Sequence, residues 1–546
     1  MKITSIPQIY RHVNRWRRIL AVASKYGLAD WISRYDLHFA QGLFKDRDGE
    51  LLAKHSREAR IRLALSELGP TFIKLGQVLS TRADVVGPEL AGELTALQDS
   101  TPADSADVVR RTIERELGRP LDEVFAQFDD VPLASASIGQ VHAAWLPTGE
   151  AVVVKVQHTG IEDTVRVDLD ILVGLAQLAE GVPELKNYRP GATVHEFQRT
   201  LKRELDYSRE LRNMQRFAAD FADNPQVHIP RSFPALCTSR VLVMERLEGV
   251  KLSEAPQVAA ASIDLDAVAR TGAQMYMEMV FDRGFYHADP HPGNIVLLPG
   301  GVVGLLDFGM VGQIDDQLRE DVEDMLLAIS QQDSERLTAV IMRAGDPPPG
   351  LDQSALALEV GEFVAHYAHQ SLDEFDLSGA IEELTDIIRR YGIRLPARVA
   401  LLLKVFIMLE GTAQLVSPRF ALIDVIKPYQ SKMLWRRLSP ARQARKARRV
   451  YYELERLARV VPQKLTDILQ QMEMGRFDVH LDHRGLEPSV NRLVLGLLSS
   501  ATFLGSTLLL SRGVLPVLWG VSVPGAIGTA ISVVLGVRAL RGIRKY

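Results

Sequence analysis

The chain has 546 residues, 47% hydrophobic and 24% charged, enough for large cores in about two to four domains. Its single cysteine, Cys237, excludes an intramolecular disulfide and a cysteine-rich metal site. A net charge of -4 gives no global attraction to nucleic acid, so no nucleic-acid partner is expected and the local charge runs matter more than the sum.

The N-terminus is basic. Lys2, Arg11, Arg15, Arg17, Arg18 and Lys25 precede the first acidic residue, Asp30, a pattern that fits a membrane-surface helix and equally an organelle presequence. No apolar core with a small-residue cleavage site follows, which argues against a secretory signal. In "LGPTFIKLGQVLSTRAD", Leu68 to Asp84, Gly69 and Pro70 predict a helix start, and Phe72, Leu75, Val78 and Leu79 form an apolar stripe. Lys74, Gln77 and Thr81 form a polar stripe beside Gly76, a residue that costs a helix about 1 kcal/mol relative to alanine. Taken alone, these residues fit a solvated face as well as a functional one.

From Pro132, "PLASASIGQVHAAWLPTGEAVVVKVQ" reads as a small-residue loop, a strand with alternating Val141, Ala143 and Trp145, a turn, and a β-branched strand Val152–Val156. Lys155 lies inside that second strand, where a buried ammonium would need anionic partners; taken alone, an edge-strand lysine pointing to water is the alternative. A helix expected over Val194–Phe217 offers it two, Glu204 and Glu210, of which Glu204 is favoured. "RVLVMERLEGV" predicts a strand, Val241–Met244, running into a polar connection from Glu245 to Leu247, which in a kinase would be the hinge whose backbone faces an adenine. In "FYHADPHPGNIVL", Asp289 and Asn294 stand on a loop that Pro290, Pro292 and Gly293 keep from being helical. Asp307 of Asp-Phe-Gly ends the apolar run Val302–Leu306. Protein kinases need this ordered set: an Asp for the acceptor hydroxyl, an Asn and a second Asp for Mg²⁺ on ATP phosphates, and a strand Lys paired with a helix Glu. Asp289 and Lys155 are therefore the candidate catalytic residues, and Asn294 and Asp307 the candidate metal ligands.

The C-terminus carries two uncharged stretches, Leu493–Leu510 of 18 residues and Gly513–Val537 of 25, separated by Arg512. Each is long enough to cross a bilayer, and Arg492, Arg538, Arg541, Arg544 and Lys545 put both ends in the cytoplasm by the positive-inside rule. A buried helix pair in a soluble protein is the alternative. Lys432–Lys464 holds eleven Lys or Arg against Glu453 and Glu455, which suits anionic headgroups or a solvated face.

With "FIKLGQ", "ASASIGQVH", "VVVKV", "ELDYSREL", "HADPHPGN" and "LDFG", the chain resembles the UbiB family of atypical, protein-kinase-like proteins over about Arg60–Gln430. The resemblance implies an α+β, two-lobed kinase-like domain, divided as follows: an N-terminal region 1–59, a helical extension 60–130, an N-lobe 131–250, a C-lobe 251–430, a basic connector 431–490 and a transmembrane hairpin 491–546. It also implies that Lys74, Gly76 and Gln77 form a cover over the nucleotide site, and that Ala134, Ser135, Ala136 and Ser137 replace the glycine-rich phosphate loop. Alanine restricts the positive φ that lets amides approach phosphates, so nucleotide binding should differ from an ordinary kinase. His287-Ala288-Asp289 lacks the usual Arg, and no Ala-Pro-Glu follows Asp307, which counts against a peptide substrate.

The function so implied is an ATP- and Mg²⁺-dependent kinase or ATPase supporting ubiquinone biosynthesis, with a membrane lipid or prenyl-quinone precursor and other quinone-pathway enzymes as partners. Its expected location is a bacterial inner membrane with the kinase-like domain in the cytoplasm, or an organelle membrane. A soluble small-molecule phosphotransferase and a non-catalytic, nucleotide-gated lipid scaffold are the alternatives.

Overall fold

Val152, Val154 and Val156 alternate along one strand, so period two sends them to one face and Val153 and Lys155 to the other. The sheet built on that strand organises the first of two compact units, Met1–Ser439 and Pro440–Tyr546, in the computed structural model. The described residues are 12–28, 55–97, 101–181, 189–254, 263–368, 376–426, 428–429, 448, 451–452, 455, 486–518 and 521–543.

The first unit opens with helices α1 (Val13–Lys25), α2 (Arg57–Leu68), α3 (Pro70–Ser80), α4 (Pro88–Thr95) and α5 (Ala106–Leu117). Strands β1 (Gln127–Phe128), β2 (Ala134–Ser135), β3 (Gly139–Trp145) and β4 (Ala151–Gln157) follow, then α6 (Ile161–Glu180), α7 (Pro190–Glu204), α8 (Tyr207–Asp220), β5 (Val227–His228) and β6 (Val241–Glu245). The N-lobe sheet is antiparallel in the order β1-β3-β4-β6, with β2 farther along the same edge of β3. Its valine face packs under Val109 and Ile113 of α5.

The C-lobe comprises β7 (Val250–Lys251), α9 (Leu265–Met277) continued by a π-helical turn over Glu278–Arg283, β8 (Phe285–His287), β9 (Ile295–Leu298), β10 (Val302–Leu305) and β11 (Val311–Gln313). Helices α10 (Asp316–Ser330), α11 (Ser334–Ala344), α12 (Gln353–Ala368), α13 (Leu377–Arg390) and α14 (Ala397–Val416) complete it. Strands pair in the order β5-β10-β9-β7, and β8 pairs with β11. These two ladders carry the loop from Asp289 to Asn294 and the turn at Asp307.

Three expectations change. The basic N-terminal helix α1 buries its apolar face, Trp16, Ile19, Leu20 and Val22, on its own chain, and Arg15 donates to both carboxylate oxygens of fully buried Asp168 and to the Leu68 carbonyl. That face is occupied and does not lie open to a membrane surface. The helix expected over Val194–Phe217 is two helices: α7 stops at Glu204, and Asp206 caps α8 by accepting from the Ser208 amide. Gly76 does not serve an approach to the cleft. A Cβ there would lie 2.2 Å from Leu97 Cδ1 and 3.1 Å from Leu65 Cδ1, so the glycine admits these leucines against α3.

In the second unit, α15 (Leu486–Arg512) and α16 (Val523–Ile543) pack as a hairpin through small residues, with the Ser499 hydroxyl donating to the Ser532 carbonyl at 2.9 Å and Gly528 against Ser506. Leu497, Leu504, Leu508, Ile527 and Val534 are exposed. Among the described residues two helices are long and apolar enough to cross a membrane, Ala397–Val416 and Val494–Arg512; the first is 56% buried inside the chain, the second 6%. The second uncharged stretch is not one long helix. It begins with a turn and a two-stranded ladder, Val517–Leu518 with Val521–Ser522, and its apolar helical part is the shorter Val523–Gly536. The basic run Lys432–Lys464 lies almost wholly outside the described residues.

Because the space beside Gly76 is filled by leucines, Gly76→Leu should destabilise the protein by about 1–3 kcal/mol despite leucine's helix propensity. Urea unfolding of the variant checks this, and a gain in stability would contradict the packing role.

Candidate active site

Lys155 enters the site because β4 is held between β3 and β6, with Val141 and Leu242 as its register partners. Its ammonium donates to both oxygens of Glu210, at 2.8 and 2.9 Å, and lies 3.7 Å from Asp307 Oδ2 and 5.2 Å from the Tyr207 ring centroid. Glu210, not Glu204, is therefore its helix partner. The break at Leu205 and Asp206 decides this. Gln157 Nε2 donates to the Leu205 carbonyl at 2.6 Å and the Tyr207 amide to the Ser239 carbonyl at 2.9 Å, pinning the start of α8 beside β4. Glu204, at the end of α7, instead faces Lys74 of α3 at 3.4 Å.

Burial disfavours the Lys155 ammonium, but Asp307 and Glu210 outweigh it and raise the pKa above its usual value. Burial also works against ionised Asp307, yet Lys155, the Gly309 amide and Lys74 bring its carboxyl down to about 2. About half of that side chain remains open to solvent, so the carboxylate is paired and still able to take a ligand. Asp307 has φ 47°, a left-handed conformation rare outside glycine. Two bonds hold it there: the Gly309 amide donates to Asp307 Oδ1 at 2.9 Å, and His287 Nε2 bonds the Asp307 carbonyl at 2.5 Å. Phe308 is fully buried, its amide donating to Glu210 and its carbonyl accepting from Asn213.

Asn294 Nδ2 donates to Asp289 Oδ2 at 2.9 Å and to the Asp289 carbonyl at 3.2 Å, and the Leu306 amide donates to the Asn294 carbonyl at 2.8 Å. Asp289, Asn294 and Asp307 are thereby tied together, with Lys155 beside them. The Asn294 amide nitrogen is committed, which leaves its side-chain oxygen as the group able to meet a cation.

The segment Ala134–Ser137 has no residue with positive φ. The Ser135 and Ser137 hydroxyls are buried without a hydrogen-bond partner. Gly139 at its end is required by contact, since a Cβ would lie 2.3 Å from the Val156 carbonyl oxygen and 2.4 Å from the Tyr207 hydroxyl. At the hinge, the Glu245 and Arg246 amides donate to the Arg231 and Ala151 carbonyls, and Leu247 packs against Gly304. The Glu245 carboxylate is turned to a brace, bonded to His228 Nε2 at 3.1 Å and to the Arg231 amide at 2.9 Å. An open cavity of about 730 Å³ is lined by Glu245, Leu247 and His228 and by none of Lys155, Asp289, Asn294 or Asp307.

Of the three residues expected to form a cover, Lys74 lies within electrostatic reach of Asp307. Gln77 donates to the Leu97 carbonyl at 3.4 Å, so it shares the leucine contact of Gly76. The chain just past α3 is fastened to the C-lobe, where Arg82 and Asp84, themselves paired, bond the Leu395 carbonyl and amide.

A two-lobed fold in which a strand lysine, a helix glutamate, a loop Asp–Asn pair and a turn aspartate converge is protein-kinase-like. Residues 96–341 match the ABC1 atypical kinase-like domain, 360–421 the UbiB helical domain and 480–545 the ABC1/UbiB kinase-like C-terminal domain. A probable protein kinase UbiB of Xanthomonas campestris is 33% identical over 489 residues, covering 86% of this chain and 87% of that protein. One from Shewanella halifaxensis is 30% identical over 562 residues, covering 98% and 99%. The chain belongs to the ABC1/UbiB family of atypical kinase-like proteins. Among solved structures, Rv3197 of Mycobacterium tuberculosis, in complex with erythromycin, is 27% identical with a TM-score of 0.46, covering 68% of this chain and 95% of its own.

The two glutamates should respond differently to neutralisation. Glu210→Gln deprives a buried ammonium of its nearest carboxylate and should cost about 3–5 kcal/mol, whereas Glu204→Gln, at a longer contact, should cost about 1–2 kcal/mol. Parallel urea unfolding measures both.

Proposed function

We propose that the chain is an ATP- and Mg²⁺-dependent atypical kinase or ATPase that acts at a membrane in support of ubiquinone or related prenyl-quinone biosynthesis. The observation that carries this reading is the Lys155–Glu210 pair beside Asp307 and the Asn294–Asp289 bond. Among the described residues no three His, Cys, Asp or Glu side chains cluster as a resident metal site. That suits an ion arriving on nucleotide phosphates, since such Mg²⁺ needs only one or two protein oxygens besides phosphate and water. Asn294 Oδ1 and the Asp307 carboxylate are those oxygens, and bound Mg²⁺ would neutralise phosphate charge.

In this reading Lys155, kept charged by its neighbours, holds the α- and β-phosphates. Asp289 orients the acceptor hydroxyl or water and takes its proton. The buried Ser135 and Ser137 hydroxyls supply polar groups where the loop lacks glycines. Lys74, on the cover, adds positive charge near Asp307. A cover held to both α7 and the C-lobe favours a small or lipid acceptor, such as a prenyl-quinone precursor, over an extended peptide. The hairpin, with its exposed leucines, supplies attachment to a bacterial inner membrane or an organelle membrane, with the kinase-like unit on the cytoplasmic side.

Asp289→Asn should reduce phosphate release from MgATP about a hundredfold or more with nucleotide affinity retained. Asp307→Asn should abolish the Mg²⁺-dependent part of nucleotide stabilisation in a thermal-shift titration. Full turnover in Asp289→Asn would favour a non-catalytic scaffold. In vesicle flotation, deletion of residues 493–546 should abolish salt-resistant binding and leave only a salt-sensitive remnant from Lys432–Lys464.

A further inference from the structure

Lys404 lies on α14, a helix of the C-lobe, yet its ammonium reaches the cover, donating to Ser80 Oγ at 3.0 Å. The Ser80 proton is itself directed to the Gln77 carbonyl at 2.7 Å, so Ser80 meets Lys404 with a lone pair. An ammonium has three donors. Ser80 is its one hydrogen-bond partner among the described residues, and no carboxylate oxygen among them lies within 4.0 Å of it. The charged groups that bear on it are Asp289 and, as a like charge, Lys74; burial pushes its pKa down and Asp289 offsets this only in part.

Its position is fixed from the other side as well. Eight residues farther along α14, the Thr412 hydroxyl donates to the Pro290 carbonyl at 2.8 Å, docking the helix on the loop that follows Asp289. Between Asp289 and Asn294 that loop reads Pro290, His291, Pro292, Gly293 and holds no Lys or Arg. His291 is occupied locally, its Nδ1 accepting from the Gly293 amide. The cation beside Asp289 comes from α14.

A partly buried ammonium, anchored by a neutral hydroxyl and short of a counter-charge, lacks an anion. Asp289 already shares its Oδ2 with Asn294. We propose that Lys404 is a phosphate-binding catalytic residue: its ammonium contacts the terminal phosphoryl group of a nucleoside triphosphate while Asp289 orients the acceptor. As the acceptor oxygen bonds to the terminal phosphorus, the bond from that phosphorus to the bridging oxygen breaks. The diphosphate leaves with the electron pair, and the acceptor proton passes to Asp289. Lys404 offsets the charge on the non-bridging oxygens throughout, as a fixed cation aimed at developing charge. This rests on the reading of the site as a nucleotide site.

The test is calorimetric binding of MgATP and MgADP to the full chain, with phosphate release measured in parallel, for the parent, Lys404→Met, Lys404→Gln and Lys404→Arg. Lys404→Met should weaken MgATP about tenfold, leave MgADP within about twofold, and lower kcat about tenfold or more, because it removes a charge-assisted contact to the terminal phosphate alone. Lys404→Arg should restore most of the preference for triphosphate. Should Lys404→Met fail to fold, Lys404→Gln, which keeps a donor for Ser80, carries the same expectation. Parental binding and turnover in the neutral variants would overturn the inference. Equal loss of both nucleotides together with a lowered melting temperature would overturn it too, by making Lys404 a tether of the cover. A parent that binds neither nucleotide would overturn the nucleotide reading, and this inference with it.

Discussion

A single buried ammonium sets the terms of this fold. Lys155 sits in the interior of a five-stranded sheet, where a charge is tolerated only with anions in contact. Glu210 can be one of them only because α7 ends at Glu204 and α8 starts afresh, and a continuous helix would carry a different face to β4. Asp307 can be the other only because its backbone is held in a left-handed conformation by Gly309 and His287. The strain at Asp307 and the helix break are two solutions to one electrostatic demand.

The parts around this pair depart from an ordinary kinase in where they place glycine and positive charge. The segment Ala134–Ser137 gives up glycine's freedom, and the glycine that remains, Gly139, serves close contact with β4 and Tyr207. Positive charge is instead brought in from outside the N-lobe, by Lys74 on α3 and Lys404 on α14. The positive charge around Asp289 and Asp307 is thus a joint product of elements far apart in the chain.

The legible part of the site was the part whose chemistry sits in short motifs: Lys155 in a β-branched strand, Asp289 and Asn294 on a proline-rich loop, and Asp307 after an apolar run. Sequence pattern favours Glu204 over Glu210 only on a continuous helix, and the break at Leu205 and Asp206 reverses that. Yet Tyr207, Glu210, Met214 and Phe217 are the buried residues of α8 and follow one stripe at helical spacing, so a glutamate on an apolar stripe was the available signal. Gly76 carries no local signal of its role, since its reason is Leu97, just past the end of α4, together with Leu65 of α2. Lys404 gave no local signal at all: within an apolar helix it looks like any lysine until Ser80 is found beside it. In the C-terminal stretch, absence of charge does not mean a continuous helix, and Pro516 and Pro524 mark where the run is interrupted.

The contact between Ser80 and Lys404 joins residues 324 positions apart. Such a closure comes late in folding, because the entropy of the intervening chain must be lost before the contact rewards it. A nascent chain exposes Lys155 and its sheet long before α14 has left the ribosome, so the Ser80–Lys404 contact stays unmade through most of synthesis. Fragments that end before α14 therefore lack not a peripheral helix but the partner of Ser80 and the support that Thr412 gives the loop after Asp289.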